Sequence, residues 1–230
     1  MSTRTKKIID TAIKRGQRAL TEYESKRVLA AYGIPVSREV LVASASQARS
    51  AAKKIKYPVV LKACSSDEAH KTEKGLVAVN LSSQKELNEA WTALNKKAGR
   101  GYYGNWLVQE MVKGPREIMI GMHRDPGFGP SVMFGLGGIF TEILQDVIFR
   151  VAPLRKKDAR DMLKGIRACK ILDEVRGMPS ADKEVLVHAL MAVGQIALDH
   201  PEIEEIDINP LILKGAKPIA VDGLIVLSGV

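Results

Sequence analysis

The sequence predicts a mixed α+β fold. Helix and strand patterns alternate along the 230 residues, and several strand patterns follow one another closely enough to form antiparallel hairpins. Apolar residues make up 46% of the chain and charged residues 27%, a balance typical of a globular protein with a buried core. A Gly-Pro turn in "VKGPR", residues 112–116, marks the expected boundary between two halves.

The first half begins with two predicted helices. Gly16 interrupts the first pattern, and the second begins at Thr21, an N-cap followed three residues later by Glu24. Gly33 and Pro35 end the second helix. The patterns that follow are a strand in "REVLVAS", a helix in "SASQARSAAKKI", a buried strand in "YPVVLKAC", a strand in "GLVAVNLS", a helix in "SSQKELNEAWTALNKKA" and a strand in "WLVQEMV".

The second half predicts a hairpin, two helices and a closing pair of strands. The hairpin joins "REIMIGMHRD" and "SVMFGLGG" through the turn "DPGFGP", and "TEILQDVIFRVAPL" continues as a strand or hairpin. The helices are "KKDARDMLKGIRACKILDEV" and "SADKEVLVHALMAVGQIALDHP", and the strands are "IEEIDINPLILKG" and "KPIAVDGLIVL".

Composition excludes several classes of function. Much of the net charge of +9 lies in residues 1–27, which contain eight Lys and Arg but only three acidic residues. This favours a basic arm that docks on an acidic partner or stays solvated. With 5% aromatic residues and no reading motif, we expect no nucleic-acid partner. No apolar run is long enough for a membrane helix, no secretory signal is recognisable, and Cys64 and Cys169 form no zinc or disulfide pattern. We therefore expect a cytoplasmic protein without a membrane partner.

Charged residues at strand ends are the first candidates for a ligand site. Lys62 closes the buried strand "VVLK", where it could reach solvent or hold phosphate oxygens. Glu110 and Glu117 flank the Gly-Pro turn, where backbone groups could bind an adenine edge and a carboxylate could accept from ribose hydroxyls. Exposed acids at strand ends are the alternative. The glycines of "FGLGGIFTE" would let the backbone approach a ligand.

Acidic and amide side chains near the C-terminal strands predict a magnesium site. Asp207 and Asn209 are two residues apart, so they face the same side of one strand, and Asp222 can meet them from the next. Carboxylates on apolar strands are costly unless they are paired or bind a metal. Magnesium prefers such oxygen ligands together with nucleotide phosphates.

His70 lies in the polar loop "SSDEAHKTEKG" and is the candidate nucleophile. A neutral imidazole is competent at physiological pH, and once phosphorylated it would carry a transferable phosphoryl group. A solvated loop histidine is the alternative. The other histidines, at positions 123, 188 and 200, have no nearby ligand set and are interpreted as structural or surface residues.

From about Leu20 onward, the order of these motifs resembles the ATP-grasp β subunit of ADP-forming acetyl-CoA synthetase (acyl-CoA synthetase, NDP-forming). The resemblance rests on "ALTEYESKRVLAAYGIPV", "YPVVLKACSSDEAHKTEKG", "VQEMVKGPREIMIGMHRDPGFGP", "FGLGGIFTEILQDVIFRVAPL" and "EIDINPLIL". It implies an ATP-grasp fold in which two α+β subdomains hold the nucleotide between them. The expected divisions are a basic helical arm at 1–19, an N-terminal subdomain with the phosphohistidine loop at 20–112, and a C-terminal subdomain with the magnesium site at 113–230.

The resemblance implies a role for each nucleotide-binding candidate of the first subdomain and the turn. Lys62 would hold the nucleotide phosphates. Glu110 and Val112 would flank the adenine, Val112 through its backbone. Glu117 would hold the ribose.

The same resemblance extends to the second half of the chain. Glu142 and Arg150 would line the phosphate side. Asn209 and Asp222 would bind Mg²⁺, with Asp207 helping directly or through water.

The family relation also implies a reaction and a partner. His70 would be the phosphohistidine that exchanges phosphate with ADP or ATP and receives it from a histidine of a CoA-binding α subunit in an α2β2 heterotetramer. The reaction would be acyl-CoA + ADP + phosphate giving carboxylate, CoA and ATP. Three alternatives stay open: a succinyl-CoA synthetase-like β subunit, a stand-alone ATP-grasp carboxylate–amine ligase, and a non-catalytic nucleotide-binding regulatory subunit.

Overall fold

The computed structural model describes residues 3–65, 75–99, 102, 104–138 and 146–228. Within them, helices pack on two antiparallel sheets, which confirms the α+β class. The chain forms two compact units: the smaller comprises Thr21–Tyr23 and Ser37–Met111, and the larger comprises Met1–Leu20, Glu24–Val36 and Val112–Val230. The boundaries 1–19, 20–112 and 113–230 stay predictions.

The secondary structure follows the predicted order, except that the last predicted strand, "KPIAVDGLIVL", is divided into two strands. The helices are α1 (Thr3–Lys14), α2 (Glu22–Ala31), α3 (Ala45–Ile55), α4 (Gln84–Ala98), α5 (Lys156–Gly165) and α6 (Lys183–Asp199), with a 3₁₀ turn at Cys169–Leu172. The strands are β1 (Glu39–Val42), β2 (Val59–Cys64), β3 (Val77–Leu81), β4 (Asn105–Glu110), β5 (Glu117–Asp125), β6 (Gly129–Leu136), β7 (Val147–Val151), β8 (Ile203–Lys214), β9 (Lys217–Ala220) and β10 (Leu224–Leu227). No helix in these ranges combines the length and apolarity needed to cross a membrane.

The smaller unit is a four-stranded antiparallel sheet with α3 and α4 packed on it. Its strand order is β1–β4–β2–β3, so β2 lies inside the sheet and is buried along its whole length. Both helices begin at serine N-caps: Ser44 accepts from the N–H of Gln47 and Ser83 from that of Glu86. These caps fix where each helix starts relative to the strand before it.

The larger unit is a six-stranded sheet with a helical layer over one face. The strand order is β10–β8–β5–β6–β7, with β9 also paired to β8. Cross-strand partners share a face, and Ile206, Met122 and Val132 are consecutive partners that are all buried in the core. The intervening residues, including Asp207, therefore point to the opposite face.

The N-terminal segment belongs to the core of this larger unit. Ile9 and Ala12 of α1 are fully buried there, so the helix does not stay solvated as a whole. The segment that follows α1 is tied to the last strand: Leu20 N–H donates to Ile225 O at 2.9 Å and Leu227 N–H donates to Arg18 O at 2.8 Å. The core of this unit thus contains both early and late parts of the sequence.

One predicted helix is shorter than expected. The sequence predicted a single helix through "KKDARDMLKGIRACKILDEV", but α5 ends at Gly165 and only a 3₁₀ turn follows. The cause is Asp146, whose carboxylate accepts from the backbone N–H groups of Arg167 and Ala168, both at 2.8 Å. These bonds draw the backbone away from a helical path, which sequence periodicity alone does not reveal.

Arg116 ties together four segments of the larger unit. Its guanidinium is buried and donates to the backbone carbonyls of Ile171, Asp173, Pro179 and Gly215 at 2.7–3.2 Å. A guanidinium is suited to this role because its donors are fixed in one plane. It also holds the start of β5, where Glu117 lies.

We expect Arg116→Met to lower the free energy of unfolding by about 3 kcal/mol or more, because buried carbonyls lose their charged donor. Urea unfolding followed by circular dichroism measures this loss. The matched control is Arg155→Met, which removes an exposed ion pair with Asp158 and should cost much less than Arg116→Met. Equal costs for the two variants would contradict the role given to Arg116.

Candidate functional site

Lys62 lies on a buried strand and carries its charge away from bulk water. It alternates along β2 with Leu61 and Ala63, which face the apolar core under α3 and α4, so its side chain leaves the opposite face. Its Nζ lies 2.5 Å from Oε1 of Glu22, and the two side chains are only 7% and 1% exposed. The solvent-reaching alternative is therefore wrong, and the amine is held in a buried ion pair.

Glu22 is a site residue that the sequence analysis missed. It is the first residue of α2 and was interpreted only as part of a helix start. The signal that could have found it is Lys62 itself, because a lysine inside a buried strand needs a nearby acid.

Glu110 and Val112 were predicted to flank the adenine, and both side chains have partners within the protein. Glu110 is the last residue of β4, and its carboxylate braces Arg38: it accepts from the Arg38 N–H at 2.8 Å and from Nη2 at 3.1 Å. The side chain of Val112 is buried in a small cluster with Ile212 and Ile219. Both side chains are thus used structurally, which leaves the backbone as the part available for recognising a base.

Gly138 brings Glu117 and Asn209 together. Its N–H donates to Oδ1 of Asn209 at 3.5 Å, and a Cβ at this glycine would overlap Oε2 of Glu117. Its φ of +63° also favours glycine. The glycine-rich motif therefore lets the backbone approach two predicted ligand-binding side chains, one on β5 and one on β8.

Asp207, Asn209 and Asp222 lie near one another, as the strand pattern predicted. Asp207 and Asn209 share the face of β8 opposite the core, and Leu224, two residues after Asp222, is the cross-strand partner of Asp207. Among the described residues, Oδ1 of Asp207 is buried without a hydrogen-bond donor. Burial, followed by the charges of Glu205 and Asp222, raises the pKa of Asp207 to about 6.

This group suits a hard divalent cation. In the described ranges no cluster of three His, Cys, Asp or Glu side chains could hold a metal; two carboxylates and one amide are present instead. Mg²⁺ is commonly bound by one or two carboxylates together with water and substrate phosphates. The unpartnered oxygen of Asp207 is the observation that fits such an ion, because a cation would offset the cost of its burial.

Arg150 does not join this group. It is exposed on β7 opposite Val132, whose side chain faces the helical core, so the register places Arg150 on the other face of the sheet from Asp207. The sequence left open where β7 begins, and a shift of one residue reverses the face. His70 and Glu142 lie outside the described residues.

The raised pKa of Asp207 predicts that stability falls with rising pH in the absence of divalent metal. The pKa of this carboxyl is higher in the folded protein than in the unfolded chain, where it is 3.8. Protonation therefore stabilises the fold below pH 3.8, and this stabilisation is lost as the pH rises through about 6. The free energy of unfolding in EDTA should fall by about 3 kcal/mol across this window because of Asp207. Asp207→Asn should remove that part of the slope, whereas Glu204→Gln, an exposed change on the same strand, should keep it. Parallel pH profiles for wild type and Asp207→Asn would contradict the prediction.

Comparison with known proteins places this arrangement in a family. Residues 11–227 match the family model described as an ATP-grasp domain. The chain is 41% identical to the beta subunit of acetate–CoA ligase [ADP-forming] II from Pyrococcus furiosus, over 97% of this chain and 98% of that protein. The chain belongs to the ATP-grasp family of ADP-forming acetate–CoA ligase β subunits.

Solved structures of ATP-grasp relatives share the fold throughout. The acetyl-CoA synthetase 1 of Ca. Korarchaeum cryptofilum, in complex with coenzyme A and Ca-AMPCP, superposes with a TM-score of 0.92 at 39% identity, covering 97% of this chain and 99% of that one. A second structure of that enzyme, with coenzyme A and Mg-AMPPCP, gives a TM-score of 0.85 at 39% identity and the same coverage; its phosphohistidine segment points towards the nucleotide binding site. The chain is thus an ATP-grasp nucleotide-binding subunit, and the naming of its relatives as beta subunits implies a partner subunit.

Proposed function

We propose that this chain transfers a phosphoryl group between His70 and ADP or ATP, as one subunit of an ADP-forming acyl-CoA ligase. The observation that carries the proposal is the buried, donor-free oxygen of Asp207 beside Asp222 and Asn209. A carboxylate group of this kind, in a chain that matches β subunits along its length, is suited to nucleotide-bound magnesium.

Five of the described side chains would hold the nucleotide and its metal ion. Lys62 supplies a rigidly held cation for the phosphates, and Glu117 accepts from ribose hydroxyls. Asn209 and Asp222 hold Mg²⁺, with Asp207 contributing directly or through water. The ion, when bound, neutralises charge on the phosphates.

His70 is the residue that carries the phosphoryl group in this proposal. In the direction of ATP formation the phosphohistidine carries a proton on its other ring nitrogen. Its N–P bond breaks as a terminal oxygen of ADP forms the new P–O bond, and the ring leaves as neutral imidazole. Support comes from the relative whose phosphohistidine segment points towards its nucleotide site. The buried His200 and the hydrogen-bonded His188, which contacts Tyr32 O at 2.9 Å, have structural surroundings.

The partner completes the reaction. We propose a CoA-binding α subunit, in an α2β2 assembly in the cytoplasm, that converts acyl-CoA and phosphate to carboxylate and CoA and passes the phosphoryl group to His70. The pairing follows from relatives named as beta subunits and from solved structures with coenzyme A.

The test is reconstitution with the CoA-binding subunit, acetyl-CoA, ADP, magnesium and [³²P]phosphate. We expect [³²P]ATP to form and an acid-labile, base-stable label to appear on this chain. Ligation of a carboxylate to an amine by the chain alone would favour the stand-alone ligase, and nucleotide binding without label or turnover would favour the regulatory subunit. Turnover with succinyl-CoA but not acetyl-CoA would favour the succinyl-CoA synthetase-like alternative.

A further inference from the structure

Lys26 is among the largest fully buried side chains of the described residues. It lies on α2 beside Val28 and Leu29, which are also fully buried, and is itself 1% exposed. In the sequence this position belongs to the basic N-terminal region, residues 1–27. Burying an ammonium group among apolar side chains costs free energy unless the protein supplies hydrogen-bond acceptors. Packing alone therefore does not explain why a lysine occupies this position.

The amine of Lys26 reaches the turn that connects β9 to β10. Its Nζ donates to Val221 O at 3.3 Å. The stem of the side chain lies against the same turn, because a Cβ at Gly223 would be 3.6 Å from Lys26 Cγ and 3.9 Å from the carbonyl oxygen of Asp207. Lys26 therefore contacts the turn on both sides of Asp222.

The turn contributes one carboxylate of the predicted magnesium site. Asp222 is fixed locally by a bond in which Gly223 N–H donates to its Oδ1 at 2.8 Å. Its position relative to Asp207 depends on where the backbone of the turn lies, because Leu224 enters the sheet opposite Asp207. Two carboxylates held close together repel each other, so the backbone of the turn must be held in place before a metal ion arrives.

We propose that Lys26 is a positioning residue for the magnesium site. Through the Val221 carbonyl it holds the turn so that Asp222 and Asp207 bind one divalent cation together. The inference rests on the proposed function, since it assigns Lys26 to the same cation-binding group. A purely structural role would be served as well by methionine, which has a similar length and no charge.

The test measures Mn²⁺ binding by electron paramagnetic resonance, with and without ADP, on the wild-type chain in complex with its partner subunit. We expect Lys26→Met to weaken Mn²⁺ binding about tenfold, as loss of a group that supports a metal ligand commonly does. ADP affinity without metal should stay unchanged, and Lys26→Arg should restore part of the Mn²⁺ affinity. Val28→Ile, a packing change at a buried position of the same helix, is the control and should bind Mn²⁺ like wild type.

The outcomes separate this inference from the function on which it rests. Wild type that binds neither Mn²⁺ nor ADP would overturn both. Wild type that binds them, with Lys26→Met binding Mn²⁺ equally well, would overturn only the role of Lys26. If Lys26→Met does not fold, Lys26→Gln, which is shorter and uncharged, replaces it with the same expected loss.

Discussion

Replacing Lys62 with methionine is expected to lower kcat/KM for ADP by about a thousandfold, because removing one fixed charge from a phosphoryl-transfer site commonly costs two to three orders of magnitude. The change also leaves the carboxylate of Glu22 buried without the amine that lies 2.5 Å away. Breaking such a pair costs about 3–5 kcal/mol, so lost activity could reflect lost stability. Single-variant kinetics alone do not separate these effects.

The double variant Glu22→Gln/Lys62→Met separates them. Its stability should return towards that of wild type because no buried charge is left alone, while its activity should stay as low as that of Lys62→Met. Thermal unfolding and steady-state kinetics on the same preparations give both quantities. A double variant that regains wild-type kcat/KM would show that Lys62 only neutralises Glu22.

His70→Ala is expected to abolish both turnover and the acid-labile phosphate label on this chain. An alanine offers no ring nitrogen for the N–P bond, so no residual transfer by this route remains. The dissociation constant for Mg-ADP should change little, since His70 is proposed to act on the phosphoryl group rather than to hold the nucleotide. Equilibrium dialysis and label analysis by gel measure the two effects.

His123→Ala is the matched control for that variant. His123 is an exposed histidine on β5, and its removal should leave labelling and turnover intact. If the His70→Ala variant still carries the label, a residue other than His70 is phosphorylated. Loss of label in both variants would show that labelling depends on more than one histidine.

The predicted magnesium group was readable from the sequence because strand periodicity is strict. Two residues spaced by two on an apolar strand must share a face, and a carboxylate there needs a partner. Asp207 and Asn209 met the first condition, Asp207 met the second, and Asp222 followed from the next strand. The alternation of helices and strands was predicted for the same reason: each element depends on neighbours within a few residues.

What the sequence did not reveal depends on contacts between distant segments. Glu22 and Lys62 form an ion pair although they are 40 residues apart in the sequence. Asp146 ends α5 by binding backbone groups about 20 residues away, and Arg150 lies on the unexpected face because the start of β7 was not fixed by the pattern. The roles of His70 and Glu142 stay predictions.

The bonds that join Leu20 to Ile225 and Leu227 to Arg18 have a consequence for synthesis on the ribosome. The apolar stripe of α1 is synthesised well before β10, the strand to which its segment is tied. The larger unit therefore cannot close its core until β10 has been translated, and the nascent chain exposes Ile9 until then. The smaller unit, whose segment Ser37–Met111 is made without interruption, is free to fold while the rest is still being translated.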